Sequence, residues 1–402
     1  TSKTLTYTSE EGVKTVTEQY FYDDAGNLIK IIDSEGNVTA TEYNSMGKVS
    51  LATDEKGRKT SYDYDDFGNL VKITYPDNTT ETFTYDREGN NLSATDRMGR
   101  TVTMKYDKVG NLVSKTYPNG AGVSYVYDAN YNLVSETSAS GGVTYYEYDK
   151  IGRNTAIIDA LDSRTTFFYN AKSQLESMTD PMGRTYTYSY DDNGNRIKTT
   201  YPDSTSVSSV YDARGRVTRQ SDQHGYNTYY VYDGADRLIR VTNAQGISTS
   251  YAYDEVGNMT SVTDGNGNVT AYAYDDFGRV IKTTNALGNS AYTTYDKSGN
   301  VLTSTDYAGS LTSYTYDSLD RVSSKTTPVG TVNYTYTTDG KISSVTDSTG
   351  TTTFTYDLMD GLTRVDYPDG NYVAYSYDNP CRLTKVTTPF GSTSYEYDLL
   401  DR

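Results

Sequence analysis

Tryptophan is missing from this chain of 402 residues, and cysteine and histidine occur once each, as Cys381 and His224. A single cysteine leaves no partner for an internal disulfide. A single histidine removes any histidine-cluster metal site and argues against a serine triad. Basic side chains are in the minority, 36 against 53 acidic ones, for a net charge of −17. That balance argues against a nucleic-acid partner, because phosphate binding rests on clustered Lys and Arg. No apolar stretch approaches the ~18 residues of a membrane span. Like charges never run five in a row, so acidic or basic tails are absent as well. Aliphatic residues are scarce too, with hydrophobic types at only 35%.

What the chain has instead is 44 tyrosines and 8 phenylalanines. With so few aliphatics, it must cover its tyrosine rings to gain apolar area, and each covered phenol then needs a hydrogen-bond partner. The bias toward Tyr, Thr and Val favours strands, and no long 3.6-residue pattern speaks for helices.

The tyrosines are also periodic. From Tyr22 to Tyr316 one recurs every 21 residues, and Tyr336, Tyr356, Tyr377 and Tyr397 follow at steps of 20 or 21. In 16 of these 19 units the next residue is Asp; Asn44, Asn170 and Thr337 are the exceptions. Glycine occupies 12 of 19 positions four residues after the Tyr and 15 of 18 positions fourteen after it. Seven of the eight prolines lie twelve residues after a Tyr, among them Pro76, Pro181 and Pro368. Proline cannot donate to a sheet ladder, and glycine supplies left-handed backbone, so each unit reads as two strands and two turns. The strands should run to six or seven residues, ~20 Å at ~3.3 Å per residue.

In the first turn, Asp should accept local backbone N–H bonds and Gly should take the left-handed position. The residues expected to build the repeat are Tyr22, Asp23 and Gly26; Tyr64, Asp65 and Gly68; Tyr106, Asp107 and Gly110; Tyr190, Asp191 and Gly194; and Tyr274, Asp275 and Gly278. A second aromatic stands two residues before the Tyr in 15 of 19 units, as in Tyr62–Tyr64 and Phe83–Tyr85. A Leu, Val, Ile or Met follows the turn in most units, such as Leu28 and Leu70. Period two puts both aromatics on one face. The expected fold is all-β, a repeat array of two-strand units forming a long antiparallel sheet that must curl, since open sheets rarely exceed ~10 strands. A parallel β-roll, in which equivalent residues stack, fits the same period. One continuous array over residues 1–402 is expected, with an irregular opening before Tyr22 and a last unit cut short after YDLLDR. Because the chain opens on Thr1, the absence of a signal peptide carries no weight.

The unit Y-D-x-x-G-[NR]-[LV]-x-x-x-[TY]-[DP]-x-x-G resembles the YD repeat of Rhs proteins, Tc toxin B and C subunits, wall-associated toxins and teneurins, over residues 7–402. The resemblance implies a spiralling antiparallel strip that forms a hollow shell, which in toxins holds a C-terminal toxin domain. It also implies a core-closing segment ending in D-P-x-G-L, linked to an aspartyl self-cleavage. Asp180-Pro181-Met182-Gly183-Arg184 is the nearest string here, but it stands in register as a second turn and ends in Arg.

No constellation for catalysis or a cofactor stands out. The acid pairs Asp23–Asp24, Asp65–Asp66, Asp191–Asp192 and Asp275–Asp276 repeat at one turn slot, and neighbouring side chains there point apart, unlike a catalytic dyad. DDNGN from Asp191 and DGNGN from Asp264 imitate the opening of a calcium loop. Arg196 and Val269 stand where such a loop needs Gly, and Pro202 and Asp275 where it needs Glu, so both are weak candidates. His224 and Cys381 fall in turns. Six Asn-x-Ser/Thr strings (Asn37, Asn78, Asn91, Asn258, Asn268 and Asn333) follow from composition. The expected role is a structural, non-enzymatic shell segment of a bacterial secreted or delivered protein, extracellular or at the cell surface. Its partners would be further repeats of its own chain and a toxin cargo. A fibre, adhesin or carbohydrate-binding stalk, with cell-surface glycans as partners, is the alternative.

Overall fold

The computed structural model describes residues 17–402 with their side chains and also gives strand backbone at 2–9 and 12–16. The irregular opening expected before Tyr22 falls largely outside the described side chains. Thirty-eight strands form one sheet, and no helix occurs among the described residues; none therefore is long and apolar enough to cross a membrane.

Two compact units are distinguished. The first comprises Thr1–Ser124, Ala273–Thr283 and Asn289–Tyr397, and the second Tyr125–Tyr272, Thr284–Gly288 and Asp398–Arg402. Within each, strands consecutive in the chain pair antiparallel, for example Lys59–Tyr64 with Leu70–Thr74 in the first and Ser248–Tyr253 with Met259–Thr263 in the second. The parallel β-roll is thereby excluded. Strands are mostly five or six residues long and alternate in length, slightly shorter than the spacing suggested. The missing residue goes to the turns, most of which take one more position than a minimal hairpin; the turns at 327–330, 347–350 and 388–391 are two-residue hairpins.

The turns explain the glycines. Asp65 N–H donates to the Asn69 carbonyl and Gly68 N–H to the Asp65 carbonyl, each at 3.0 Å. This is the three-residue hairpin in which a type I turn is followed by a left-handed residue. Each of the 37 turn slots has positive φ, 27 held by Gly and ten by other residues, among them Asp236, Asp320, Asp360, Asn78 and Cys381. Asp and Asn tolerate this region better than other side-chain-bearing residues, which is why they are the usual substitutes.

At each first turn the register steps by one: Asp63 faces Lys72 but Tyr64 faces Leu70. The step recurs at Ala252/Tyr253 and in the other units. Such a bulge increases the local right-handed twist. Tyr62, opposite Ile73, shares a face with the Tyr64–Leu70 pair, while Ser61–Thr74 and Asp63–Lys72 lie on the other. The tyrosine/aliphatic layer is therefore real, but it is one layer of half-covered side chains. Ala121, Ala156 and Val365 are the buried hydrophobics among the described residues.

At Gly68, with φ of 84°, an added Cβ would meet only the flexible end of Lys48, at 3.6 Å. Space is thus available and backbone strain alone should decide the cost. Gly68→Val is expected to destabilise by about 1–3 kcal/mol and Gly68→Asn by less. Urea unfolding of the two variants checks this, and equal midpoints for Val and parent would contradict it.

Candidate functional site

The Asp after each repeat Tyr is the centre of its turn. Asp65 Oδ1 accepts the Phe67 and Asn69 N–H groups at 3.0 and 2.8 Å, and Oδ2 accepts the Asn69 amide at 3.0 Å. Asp23–Asn27, Asp107–Asn111 and Asp191–Asn195 use the same clamp. In other units Arg replaces the Asn: Arg279 Nε donates to Asp275 Oδ2 at 2.6 Å and Arg237 Nε to Asp233 Oδ2 at 2.7 Å. Asn and Arg at the [NR] position thus share a side-chain N–H donor that reaches back four residues, which Gly361 does without. Bonds from the Asn amide, with the backbone N–H bonds beside them, hold the carboxyls of Asp23, Asp65, Asp107 and Asp191 below the ordinary range.

The tyrosine hydroxyls answer to the unit before. Tyr64 donates to the Val49 carbonyl at 2.9 Å, Tyr190 to Leu175 at 2.9 Å and Tyr253 to Leu238 at 2.8 Å. At least fourteen repeat tyrosines make this bond, 14 or 15 residues back. Where the clamp is Arg, its guanidinium also lies over the next unit's Tyr ring: Arg216 over Tyr232 at 4.7 Å, Arg237 over Tyr253 at 4.9 Å and Arg279 over Tyr295 at 4.8 Å. Arg237 Nη1 then donates to the Asp254 carbonyl at 2.8 Å. One side chain thus closes its own turn and holds its neighbour, a role that the Arg/Asn alternation in the sequence marked without explaining.

Within the first unit, second turns meet first turns 239 to 264 residues further on. Arg58, already clamped to Asp54, also pairs with Asp320 and donates to the Ser318 carbonyl at 3.0 Å. Lys56 lies 2.6 Å from both Asp296 and Asp320. Arg100, clamped to Asp96, reaches Asp360, and Asp339 at 3.0 Å. Asn119 donates to the Asn379 carbonyl at 2.7 Å. Partial burial alone would raise the Asp320 carboxyl, but the bonds from Arg58 and Lys56 outweigh it and pull it down to about 2. The Asp360 bond and the Asp96 clamp raise the Arg100 guanidinium further above its ordinary range.

The remaining sequence candidates are turn parts. Asp264 is clamped by Asn268 as Asp191 is by Asn195, so both calcium candidates already spend their carboxylate oxygens on the turn. Among the described residues no group of three His, Cys, Asp or Glu is placed to hold a metal. Asp24, Asp66, Asp192 and Asp276, the second members of the acid pairs, are exposed. His224 N–H donates to Asp222 in an exposed turn. Cys381 takes the left-handed slot with φ of 71°. Asp180–Arg184 is an ordinary second turn, with Gly183 N–H donating to the Asp180 carbonyl at 2.9 Å. Asn37, Asn258 and Asn268 use their amides as clamps.

The family model described as Teneurin YD-shell matches residues 6–164 and 284–400, more than half of the chain. The RHS Repeat model matches 169–206, 211–247, 232–269 and 253–290. No curated protein matches. Among solved structures, the Photorhabdus luminescens Tc holotoxin pore aligns with 98% of this chain at 13% identity and a TM-score of 0.79. The TcdB2–TccC3 complex aligns at 16% identity and 0.63 over 98%, and its form without the hypervariable C-terminal region at 16% and 0.64 over 96%. The fold is therefore that of these shell proteins. This chain spans about a quarter of their length, 26% to 27%.

Removing one hydroxyl rung by Tyr253→Phe should cost about 1 kcal/mol while leaving the Arg237 stacking in place. A urea midpoint identical to the parent's would show that the bond to Leu238 contributes nothing. A second expectation concerns acid. Asp320 titrates lower in the folded chain than in the unfolded one, so its contribution is present above pH ~4 and lost as the pH falls toward about 2. Amide exchange around residues 54–58 and 316–321 should quicken across that interval before other turns respond. Uniform quickening along the whole chain would contradict this.

Proposed function

This chain belongs to the teneurin YD-shell family, and from that premise we propose that it is a structural wall segment of a secreted or delivered protein, without catalysis of its own, that encloses a toxin domain. The observation that carries the reading is the uniformity of the array: 34 of the 37 turn slots adopt one left-handed geometry closed by the same backbone bond, the exceptions being the two-residue hairpins at Gly330, Gly350 and Gly391, and the polar groups of the turns are spent on holding it. Active sites depend on groups that depart from their surroundings in position and ionisation. Here the carboxyls with lowered affinity for protons recur with the repeat, which is the signature of a building element.

The toxin-enclosing part of the reading draws on the solved relatives, which are Tc toxin assemblies, and on a single-layer sheet whose stability resides in contacts between units. A wall of this kind can be extended unit by unit without a growing core. The carbohydrate-binding alternative loses its basis where phenol hydroxyls are bonded to backbone and ring faces are covered by Arg.

Two measurements test the proposal separately. Single-particle electron microscopy of the chain should show a curved wall one sheet thick; a straight rod would move the reading to a fibre. Limited proteolysis of the complete natural polypeptide should leave any enclosed segment intact until the array is opened. Cleavage of every non-array segment at the rate of free peptide would remove the enclosing role and leave the wall.

A further inference from the structure

The sheet face opposite the tyrosine layer is rich in Ser and Thr, as in the hydroxyl pairs Thr84–Ser93 and Thr294–Thr303. One stretch of the second unit departs from this. On the strands Arg196–Thr200, Val217–Ser221 and Leu238–Thr242 the middle residue is a cation: Lys198, Arg219 and Arg240. Lys198 lies opposite Ser208, Arg219 opposite Val210 and Arg240 opposite Val231, so all three stand in file on this face. The same position holds Ser177 in the unit before and Ser261 in the unit after, and nowhere else do three consecutive units carry a cation there.

Cations at this position in the first unit have partners. Lys30 lies over the Phe21 ring at 5.2 Å, Lys282 over Tyr292 at 5.9 Å, and Arg364 pairs with Asp366 at 2.6 Å. Lys198, Arg219 and Arg240 are exposed and make no ion pair or ring contact among the described residues. No acid is at hand on their own face. The eight strands from Thr185–Tyr190 to Met259–Thr263 contain neither Asp nor Glu, and the acids of this stretch all lie in turns at the strand ends. A chain with a net charge of −17 thus carries an acid-free, cationic file along the middle of one face.

We propose that this file holds an extended acidic segment of a partner polypeptide, lying across the strands with Asp or Glu at every third residue. Spacing selects that occupant. Consecutive cations are two strands apart, about 10 Å. A polyproline II segment turns once in three residues and advances about 9 Å, so it returns a side chain to the face in step with the cations. An extended β-strand returns one every two residues, about 7 Å, and falls out of step. Between the cations stand Val210, 41% exposed, and Tyr229, 46% exposed, an apolar and aromatic floor of the kind that receives proline rings. The turn acids on either side disfavour a nucleic acid, whose closely spaced phosphates would fall beside them. This array does not supply the segment itself. Nowhere in the chain do three acids stand at successive three-residue steps, and repeat acids such as Asp191 are bonded within their own turns.

Fluorescence anisotropy with a labelled peptide of repeated Asp-Pro-Pro tests this. A second peptide of the same composition, with its Asp residues gathered at one end, keeps the charge and loses the spacing. The parent should bind the spaced peptide about tenfold or more tightly than the gathered one, and less tightly as salt rises. Exposed ion pairs contribute little singly, so the preference needs all three in register. K198S/R219S/R240S should abolish it. K72S/K282S/K385S, which removes the same charge from isolated positions of the same face, should retain it. Circular dichroism checks that both variants fold, and the comparison of the two peptides on the parent needs neither of them. Failure of the parent to bind the spaced peptide, or equal affinity for both peptides, would overturn the proposal. So would equal loss on the two variants, or tighter binding of an oligothymidylate than of the spaced peptide, which would assign the face to nucleic acid.

Discussion

A sheet one layer thick has little to bury against, and this constraint shapes the rest of the molecule. Three buried hydrophobic residues among several hundred cannot hold a chain of this size by a core. Stability must come from contacts between neighbouring units, each small and each repeated. The Tyr hydroxyl bonded to the preceding unit's carbonyl is such a contact, at about 1 kcal/mol apiece. It fixes how far one hairpin sits from the next, because ring length and carbonyl position leave one solution. Phenylalanine would cover as much surface but could not reach across, which accounts for tyrosine at all 19 repeat positions.

The turns must meet the same standard, since a hairpin that could choose among geometries would shift the register of every unit beyond it. Three devices remove the choice. A left-handed residue closes the turn, the Asp carboxylate accepts two backbone N–H groups, and Asn or Arg holds the remaining oxygen. Much of the chain's acidity is explained here. The Asp residues of the repeat serve as local acceptors, so a net charge of −17 follows from turn chemistry without invoking a cationic partner.

The architecture was legible because its signals repeat. Strand period, turn positions, the left-handed slots and the aromatic face can all be read from nineteen copies that differ where structure permits. The non-glycine slots show how far that reading extends: Asp320 and Cys381 occupy a glycine position and adopt the glycine conformation. Antiparallel pairing against the β-roll was less legible, since a 21-residue period serves both, and only the hydrogen-bond register distinguishes them. The double use of Arg was hidden for another reason. Its second partner lies in the next unit, at a distance set by twist, and a sequence motif records position but not reach.

The contacts at the edges were the least legible, because they join residues about 260 apart that share no local pattern. They nevertheless follow from the repeat. Across these contacts first turns face second turns, with Arg58 and Arg100 of second turns on Asp320 and Asp360 of first turns, and in one case reversed, with Arg279 of a first turn beside Glu35 of a second. Arg58 and Arg100 stand two units apart, and so do their partners, so the pitch of the repeat sets which turns can meet within the first unit. The clamp that fixes each hairpin therefore also places the side chains that join one length of the array to another there.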